Sequence, residues 1–355
     1  MKIVLFTLIL IIPGFSQTMS DTLSRADRLT GFPAIYYTPE TRWAFGAGGL
    51  YVYRPELTSE RASAATASIF YTQNKQFIVE LTTNVMVNNG SLWHQGNFFY
   101  QKFPNTFYGI GNSTPDSGKE TFTAEIVRLN PALMTRIADR IYGGILVHYE
   151  SWNLQNTLPG KLLSTGIVPG SAATTVTGIG MLFNYDERDN LFAPMKGRYY
   201  QAGFIASPEF LGSTFGFTRT RIDLREYFSL GGSHVFAAQG IFHSTTGTVP
   251  FRFLPQIGGQ NVMRGYFEGR YRDNHMATVQ AEYRSPFLYR IGFALFGAAG
   301  DVAHSLKNFN ARTLKFAYGI GVRVAFIPEE HIILRVDYGI GKNSNGLYIT
   351  FNEAI

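Results

Sequence analysis

The chain of 355 residues contains no cysteine. Disulfide frameworks, thiolate metal sites and cysteine nucleophiles are therefore closed to it. Charge is sparse as well. Asp, Glu, Lys and Arg together make up 16% of the residues, against roughly a quarter in soluble domains. Long hydrophobic runs are also missing. Ile3 to Ile12, and the longest later run, Ile291 to Gly300 between Arg290 and Asp301, fall short of the about 20 apolar residues that a spanning helix needs. There is no His-Glu-x-x-His, no Gly-x-Ser-x-Gly and no Walker loop, the signatures of the common hydrolases and nucleotide-binding enzymes. The seven histidines show no metal-ligand spacing, and Ser233 and His234, adjacent in sequence, would face opposite sides of a strand. Neither an enzymatic activity nor a cofactor is expected. The net charge of +6 is scattered, with no basic run interleaved with aromatics, which speaks against nucleic acid as a partner. A cationic surface beside anionic lipid headgroups fits it better.

What is plentiful is aromatic and small: 20 Tyr, 30 Phe and 37 Gly. Tyrosine suits a membrane interface, where ring and hydroxyl meet different solvents. Period-two alternation recurs along the chain. Phe77, Val79, Leu81, Thr83 and Val85 share one face, and Ile78, Glu80, Thr82 and Asn84 the other. Leu314, Phe316, Tyr318, Ile320, Val322 and Val324 alternate with Lys315, Ala317, Gly319, Gly321 and Arg323; Ile332, Leu334, Val336 and Tyr338 alternate with Ile333, Arg335 and Asp337. Near Thr218 the polar face carries Arg219, Arg221, Asp223 and Arg225. An apolar face toward lipid and a polar face toward a wet lumen is the requirement of a membrane β-barrel strand, about 9–11 residues long. The pattern predicts about 16 antiparallel strands, beginning with 31–37 and 42–54 and ending with 331–340 and 346–355. Ala138 to Arg140, Glu187 to Gly197 and Pro328 to Glu330 read as periplasmic turns. Residues 104–119, 154–171 and 246–274 read as longer extracellular loops.

Met1-Lys2, the apolar run and Pro13-Gly14-Phe15-Ser16 read as a signal peptide over 1–16, cut after Ser16. Residues 17–30 then form a short N-terminal segment, too small for a folded module, and 31–355 form one all-β transmembrane barrel.

The most informative stretch runs from Gly258 to Pro286. A glycine-rich loop delivers one arginine, Arg264, and the following strand sends Thr278, Gln280, Glu282 and Arg284 to one face. A guanidinium in a narrow lumen favours a bidentate carboxylate, and Glu282 lies on the predicted polar face. Gly258, Gly259 and Gly265 permit a sharply bent backbone.

Three segments together resemble the BamA/TamA superfamily of outer-membrane barrels, also called the bacterial surface antigen family. Met263-Arg264-Gly265-Tyr266 is similar to its hydrophobic-Arg-Gly-aromatic motif in the sixth extracellular loop. Asp186-Glu187-Arg188-Asp189-Asn190, followed by Pro194 and Gly197, resembles its turn before the ninth strand. Gln280 to Arg284 resembles the strand after the arginine loop. The resemblance is clearest from about residue 180 onward. It implies that loop 6 folds back into the lumen with Arg264 at its tip and Glu282 as lumen partner. It also implies residence in a Gram-negative outer membrane, in contact with lipid and lipopolysaccharide. The role it implies is assistance in the insertion or translocation of nascent outer-membrane proteins, together with a periplasmic or lipoprotein partner. Two departures stand out. Ala298 occupies the place of the aspartate in the family's Phe-x-Asp-x-Gly segment, and no segment long enough for the family's periplasmic POTRA module precedes the first strand. The first strand carries Pro33, which lacks a ladder donor, and the last carries Tyr348 and Phe351. A seam between them would pair weakly and could open sideways. A small or plugged transport channel, or a structural barrel that inserts nothing, is the alternative.

Overall fold

The computed structural model describes residues 28–53, 63–191, 193–328 and 331–355. The expected signal peptide, most of the 17–30 segment and the Glu329–Glu330 part of the expected turn lie outside the described residues. Sixteen strands follow one another round a single antiparallel sheet. They are β1 (Arg28–Thr38), β2 (Arg42–Tyr53), β3 (Ser63–Thr72), β4 (Phe77–Val87), β5 (Leu92–Phe107), β6 (Glu120–Leu129 continued by Ala132–Ala138), β7 (Ile141–Gln155) and β8 (Thr174–Asp186). There follow β9 (Gly197–Ser207), β10 (Phe217–Gly231), β11 (His234–Gly247), β12 (His275–Arg284), β13 (Ile291–Ala303), β14 (Lys315–Ile327), β15 (Ile332–Gly341) and β16 (Ser344–Phe351). Each strand pairs with its sequence neighbours, and β1 meets β16 to close the ring. No helix among the described residues is long and apolar enough to cross a membrane.

Alternation sorts the side chains. On β12, Val279 is 63% exposed while Thr278, Gln280, Glu282 and Arg284 are buried. On β13 and β14 the outward residues are Phe293, Leu295, Phe316, Tyr318 and Ile320, all exposed. A continuous exposed apolar band is far larger than a water-facing surface carries and is the mark of a lipid-facing wall. Pairing each strand with its sequence neighbours satisfies the backbone groups that hydrocarbon could not.

Three local features differ from the sequence expectation. β1 starts at Arg28 rather than Gly31. The alternation after residue 119 reads as one strand over 120–134, but the strand is broken at Asn130–Pro131, where proline offers no N–H to the ladder; its carbonyl accepts from Val147 N. The last strand ends at Phe351 rather than continuing to Ile355. Asn352 takes φ +61°, and the chain turns so that Ala354 and Ile355 are buried against Tyr227 and Ala237.

Candidate functional site

Between β11 and β12 the chain forms one long connection, residues 248–274. Phe251, Phe253 and Leu254 at its start pack with the wall residues Phe107, Phe122, Trp152 and Phe217. Ile257, Met263 and Tyr266 pack with Ile241, Met276, Val302 and Ala317. A short ribbon, Gln256 opposite Arg272 and Ile257 opposite Tyr271, closes its base. Gly258 and Gly265 adopt φ +106° and +114°, a region that residues with a Cβ rarely occupy. A Cβ on Gly265 would lie 2.7 Å from the Ile340 carbonyl carbon, and one on Gly339 would lie 2.6 Å from that of Arg264. Loop and β15 thus meet backbone against backbone, an approach open only to glycine.

That contact sets Arg264, 2% exposed, among carboxylates. Its Nη2 lies 2.5 Å from Glu282 Oε2 on β12, its Nη1 donates to Asp337 Oδ2 on β15, and its guanidinium sits 3.6 Å from the Phe296 ring centroid. Glu282 also accepts from Arg284 Nε at 2.8 Å, and Asp337 from Arg323 Nη1 at 2.6 Å. Arg323 reaches Glu353 at 2.7 Å. Arg335 donates to Thr350 Oγ1 at 3.0 Å and to Asn261 Oδ1 of the loop at 3.2 Å. Four guanidiniums and three carboxylates interlock, and each lies within ion-pair distance of at least one opposite charge. Met263 N donates to Gln280 Oε1 at 3.2 Å. The Tyr266 hydroxyl accepts from Lys342 N at 2.9 Å and donates to Phe316 O at 3.1 Å.

The structure therefore brings Gly258, Gly259, Met263, Arg264, Gly265, Tyr266 and Glu282 together. Sequence reasoning missed Asp337, Arg323, Arg335 and Glu353 as members of this cluster. Arg335 and Asp337 were visible on one polar face, but nothing local tied that face to a loop 73 residues away. Asp301, near the family's aspartate position, lies outside the cluster and takes Lys315 Nζ at 3.0 Å. Asp337, on a different strand, provides the second carboxylate.

The turn residues 186–191 and 193–197 occupy the opposite rim. Asp186 is fully buried and holds Arg188 through two contacts, 3.0 and 2.9 Å, while Arg188 stacks 4.3 Å from the Tyr199 ring. Asp189 Oδ1 accepts from Met195 N and Asn190 Oδ1 from Ala193 N, both at 3.0 Å. Gly197 sits at φ +104°. Arg284 joins this turn to the loop cluster. Besides Glu282 it donates to Pro194 O at 3.1 Å and to the Ile355 main-chain oxygen at 2.9 Å.

The junction of β1 and β16 is thin. All 11 residues of β1 are in register with β2, and Pro33 faces Ala47 there. Among the described residues, the register against β16 holds a single pair, Tyr37 with Ile349. Tyr348 turns inward, is fully buried, and its hydroxyl accepts from Gly265 N at 3.1 Å. Phe351 meets Phe326 edge to face at 5.5 Å. Close to the same junction, Glu40 of the β1–β2 turn is buried and accepts from Glu268 N of the loop at 2.8 Å. Burial and then the Glu268 charge push the Glu40 carboxyl up to about 7. Burial also raises Glu268.

Fold and site together define a transmembrane β-barrel of the outer-membrane type whose largest loop is clasped by its own wall. Residues 154–348 match the model of the Omp85 superfamily domain, and the chain belongs to that superfamily, the wider grouping of the BamA/TamA barrels. Among solved structures it is similar to BamA from Haemophilus ducreyi lacking POTRA domains 1–3. The TM-score is 0.62 at 12% identity, over 92% of this chain and 70% of that one. It is also similar to CdiB from Acinetobacter baumannii (TM-score 0.57, 10% identity, 93% of this chain and 60% of that one). A third match is CdiB from Escherichia coli (TM-score 0.56, 8% identity, 91% of this chain and 62% of that one). The chain thus spans under two thirds of either CdiB chain. At these identities the likeness is one of fold. No curated protein matches the sequence.

Proposed function

We propose that this barrel resides in a Gram-negative outer membrane after export by a signal peptide and assists the insertion or translocation of outer-membrane proteins through its β1–β16 junction. The observation that carries this reading is the single register pair, Tyr37 with Ile349, at that junction. One pair leaves most of the backbone donors and acceptors of β1 on that side free to take a nascent strand by β-augmentation. Loop 6 acts as a lumen brace, with Arg264 held by Glu282 and Asp337, so the wall keeps its shape while the seam parts. The turn at Asp186 to Gly197 is the periplasmic end of the same brace, reached through Arg284. A periplasmic or lipoprotein partner delivers the client, and outer-membrane lipid and lipopolysaccharide surround the apolar belt.

Depletion of the protein tests the reading. The expected result is the loss of particular outer-membrane proteins from the membrane fraction. A second reading, a small channel, is favoured by the arginine-lined cavities inside the barrel. An unchanged outer-membrane proteome together with steady conductance in planar bilayers would replace the first reading by the second.

A further inference from the structure

The polar face of β10 carries four charged residues that the loop cluster does not use. Asp223 is bidentate to Arg225, at 3.0 and 2.9 Å, and also meets Arg221 at 3.3 Å. Two residues further along the same face, Arg219 forms no ion pair among the described residues. Its Nε and Nη2 are buried and have no hydrogen-bond partner among the described residues. Its guanidinium lies flat over the Phe253 ring of the loop, 4.3 Å from the centroid, which fixes the plane and leaves the Nε–Nη2 edge as a fork. The His148 ring stands edge-on to the same phenyl at 5.3 Å. His148 Nδ1 bonds Asn130 Oδ1 at 2.5 Å, and its Nε2 is buried without a partner among the described residues.

Arg219 and His148 open onto one cavity of about 370 Å³. Arg128, Arg221 and Arg252 add three guanidiniums to its wall, and among the described residues Glu150 and Glu268 are the only carboxylates on it. Glu150 is committed to Arg128 at 2.6 Å and to Arg252 at 3.1 Å, and Glu268 bonds Gln256 at 3.1 Å. Positive charge is thus in excess where donors lack partners. A buried guanidinium without an acceptor is costly, and its planar fork matches a tetrahedral oxyanion.

We propose that this chamber is a binding site for a phosphate-type oxyanion, with Arg219 as its bidentate ligand and His148 Nε2 as a second contact. A hydrogen phosphate, or a phosphomonoester as its monoanion, carries acceptor oxygens for Arg219 and a P–OH that donates to His148 Nε2, the acceptor nitrogen when Nδ1–H donates to Asn130 Oδ1. Sulfate lacks that hydroxyl and binds more weakly. Arg219 and His148 belong neither to the Arg264 cluster nor to the β1–β16 seam, so the proposal stands whether the barrel inserts proteins or conducts.

The test is equilibrium binding to the detergent-purified, folded barrel, with radiolabelled inorganic phosphate in one arm and dihexanoyl phosphatidate in the other. Saturable binding of about one equivalent in either arm is expected. Arg219→Gln should weaken it about tenfold or more, the loss typical of a charge-assisted bidentate contact. Arg312→Gln, on the exposed β13–β14 connection, should leave it unchanged. Saturation only by phosphate identifies a free anion as the ligand, and saturation only by phosphatidate identifies a lipid headgroup. Folding of each variant is checked by heat-modifiable gel mobility. If Arg219→Gln does not fold, Arg219→Lys serves, since it keeps the charge, loses the fork and should weaken binding severalfold. Absence of saturable binding in both arms, or binding indifferent to a folded Arg219 variant, overturns the proposal.

Discussion

At Arg264 two strands that are far apart in sequence are tied by one side chain. Its guanidinium holds Glu282 and Asp337, which also contact Arg284, Arg323 and Arg335. Truncating it would leave two buried carboxylates short of one donor each. Arg264→Ala should therefore destabilise the barrel by about 3–5 kcal/mol, the cost of breaking a buried ion pair from one side. Unfolding followed by heat-modifiable gel mobility over a urea series measures this. A loss below about 1 kcal/mol would mean that the cluster behaves as a solvated surface group. Because the carboxylates share donors, Arg264→Ala and Glu282→Ala should not add. The double variant should cost less than the sum of the singles, and strict additivity in the same series would count against a shared network. Glu282 was within reach of sequence reasoning, since alternation on the next strand after the loop puts it on the polar face. Asp337 was not, because its partner is chosen by ring closure and not by local pattern.

At the scale of the element, loop 6 stays on β15 because neither side has side chains in the way. Gly339→Ala would put a methyl 2.6 Å from the Arg264 carbonyl carbon, so the loop must lift. Tryptic cleavage at Arg264 or Arg270 of the folded protein should become faster, and unchanged cleavage would show that the contact is not what retains the loop. The Glu40–Glu268 contact gives the loop a pH dependence. Glu40 is pushed up to about 7, above the about 4.3 of an unfolded glutamate. The folded state therefore holds its proton more tightly, and the contact is strongest below the unfolded value. It weakens as pH rises through about 7, when a buried carboxylate must ionise beside Glu268. Loop protection from protease should accordingly fall between about pH 5 and about pH 8, and Glu40→Gln should flatten that slope. A slope unaffected by the substitution would assign it to another group. Strand periods made most elements legible. The break at Asn130–Pro131 was missed although its proline marked it, and the inward turn after Phe351 had no local mark, because it depends on Glu353 finding Arg323.

For the whole molecule the decisive feature is the closure. Tyr37 and Ile349 are direct Cα partners in a chain without cysteine, so Tyr37→Cys with Ile349→Cys can form one disulfide and no other. Directly opposed antiparallel residues lie within disulfide range. On the proposed function, oxidation should leave the barrel folded and halt outer-membrane protein assembly, and reduction should restore it. Full support with the seam locked would remove the lateral opening from the mechanism.

The sequence by itself determined the class of this protein: strand after strand with one apolar and one polar face, no span for a helix, and a glycine-framed arginine before a polar strand. Those features follow from period-two geometry and from the solvent each face meets, so a local window contains them. Only the tertiary structure decided which carboxylates receive Arg264, that Tyr348 turns to the loop, that Arg219 is left without an acid, and that the closing strands share one pair. These depend on curvature and register accumulated over sixteen strands, which bring together residues that no local pattern relates.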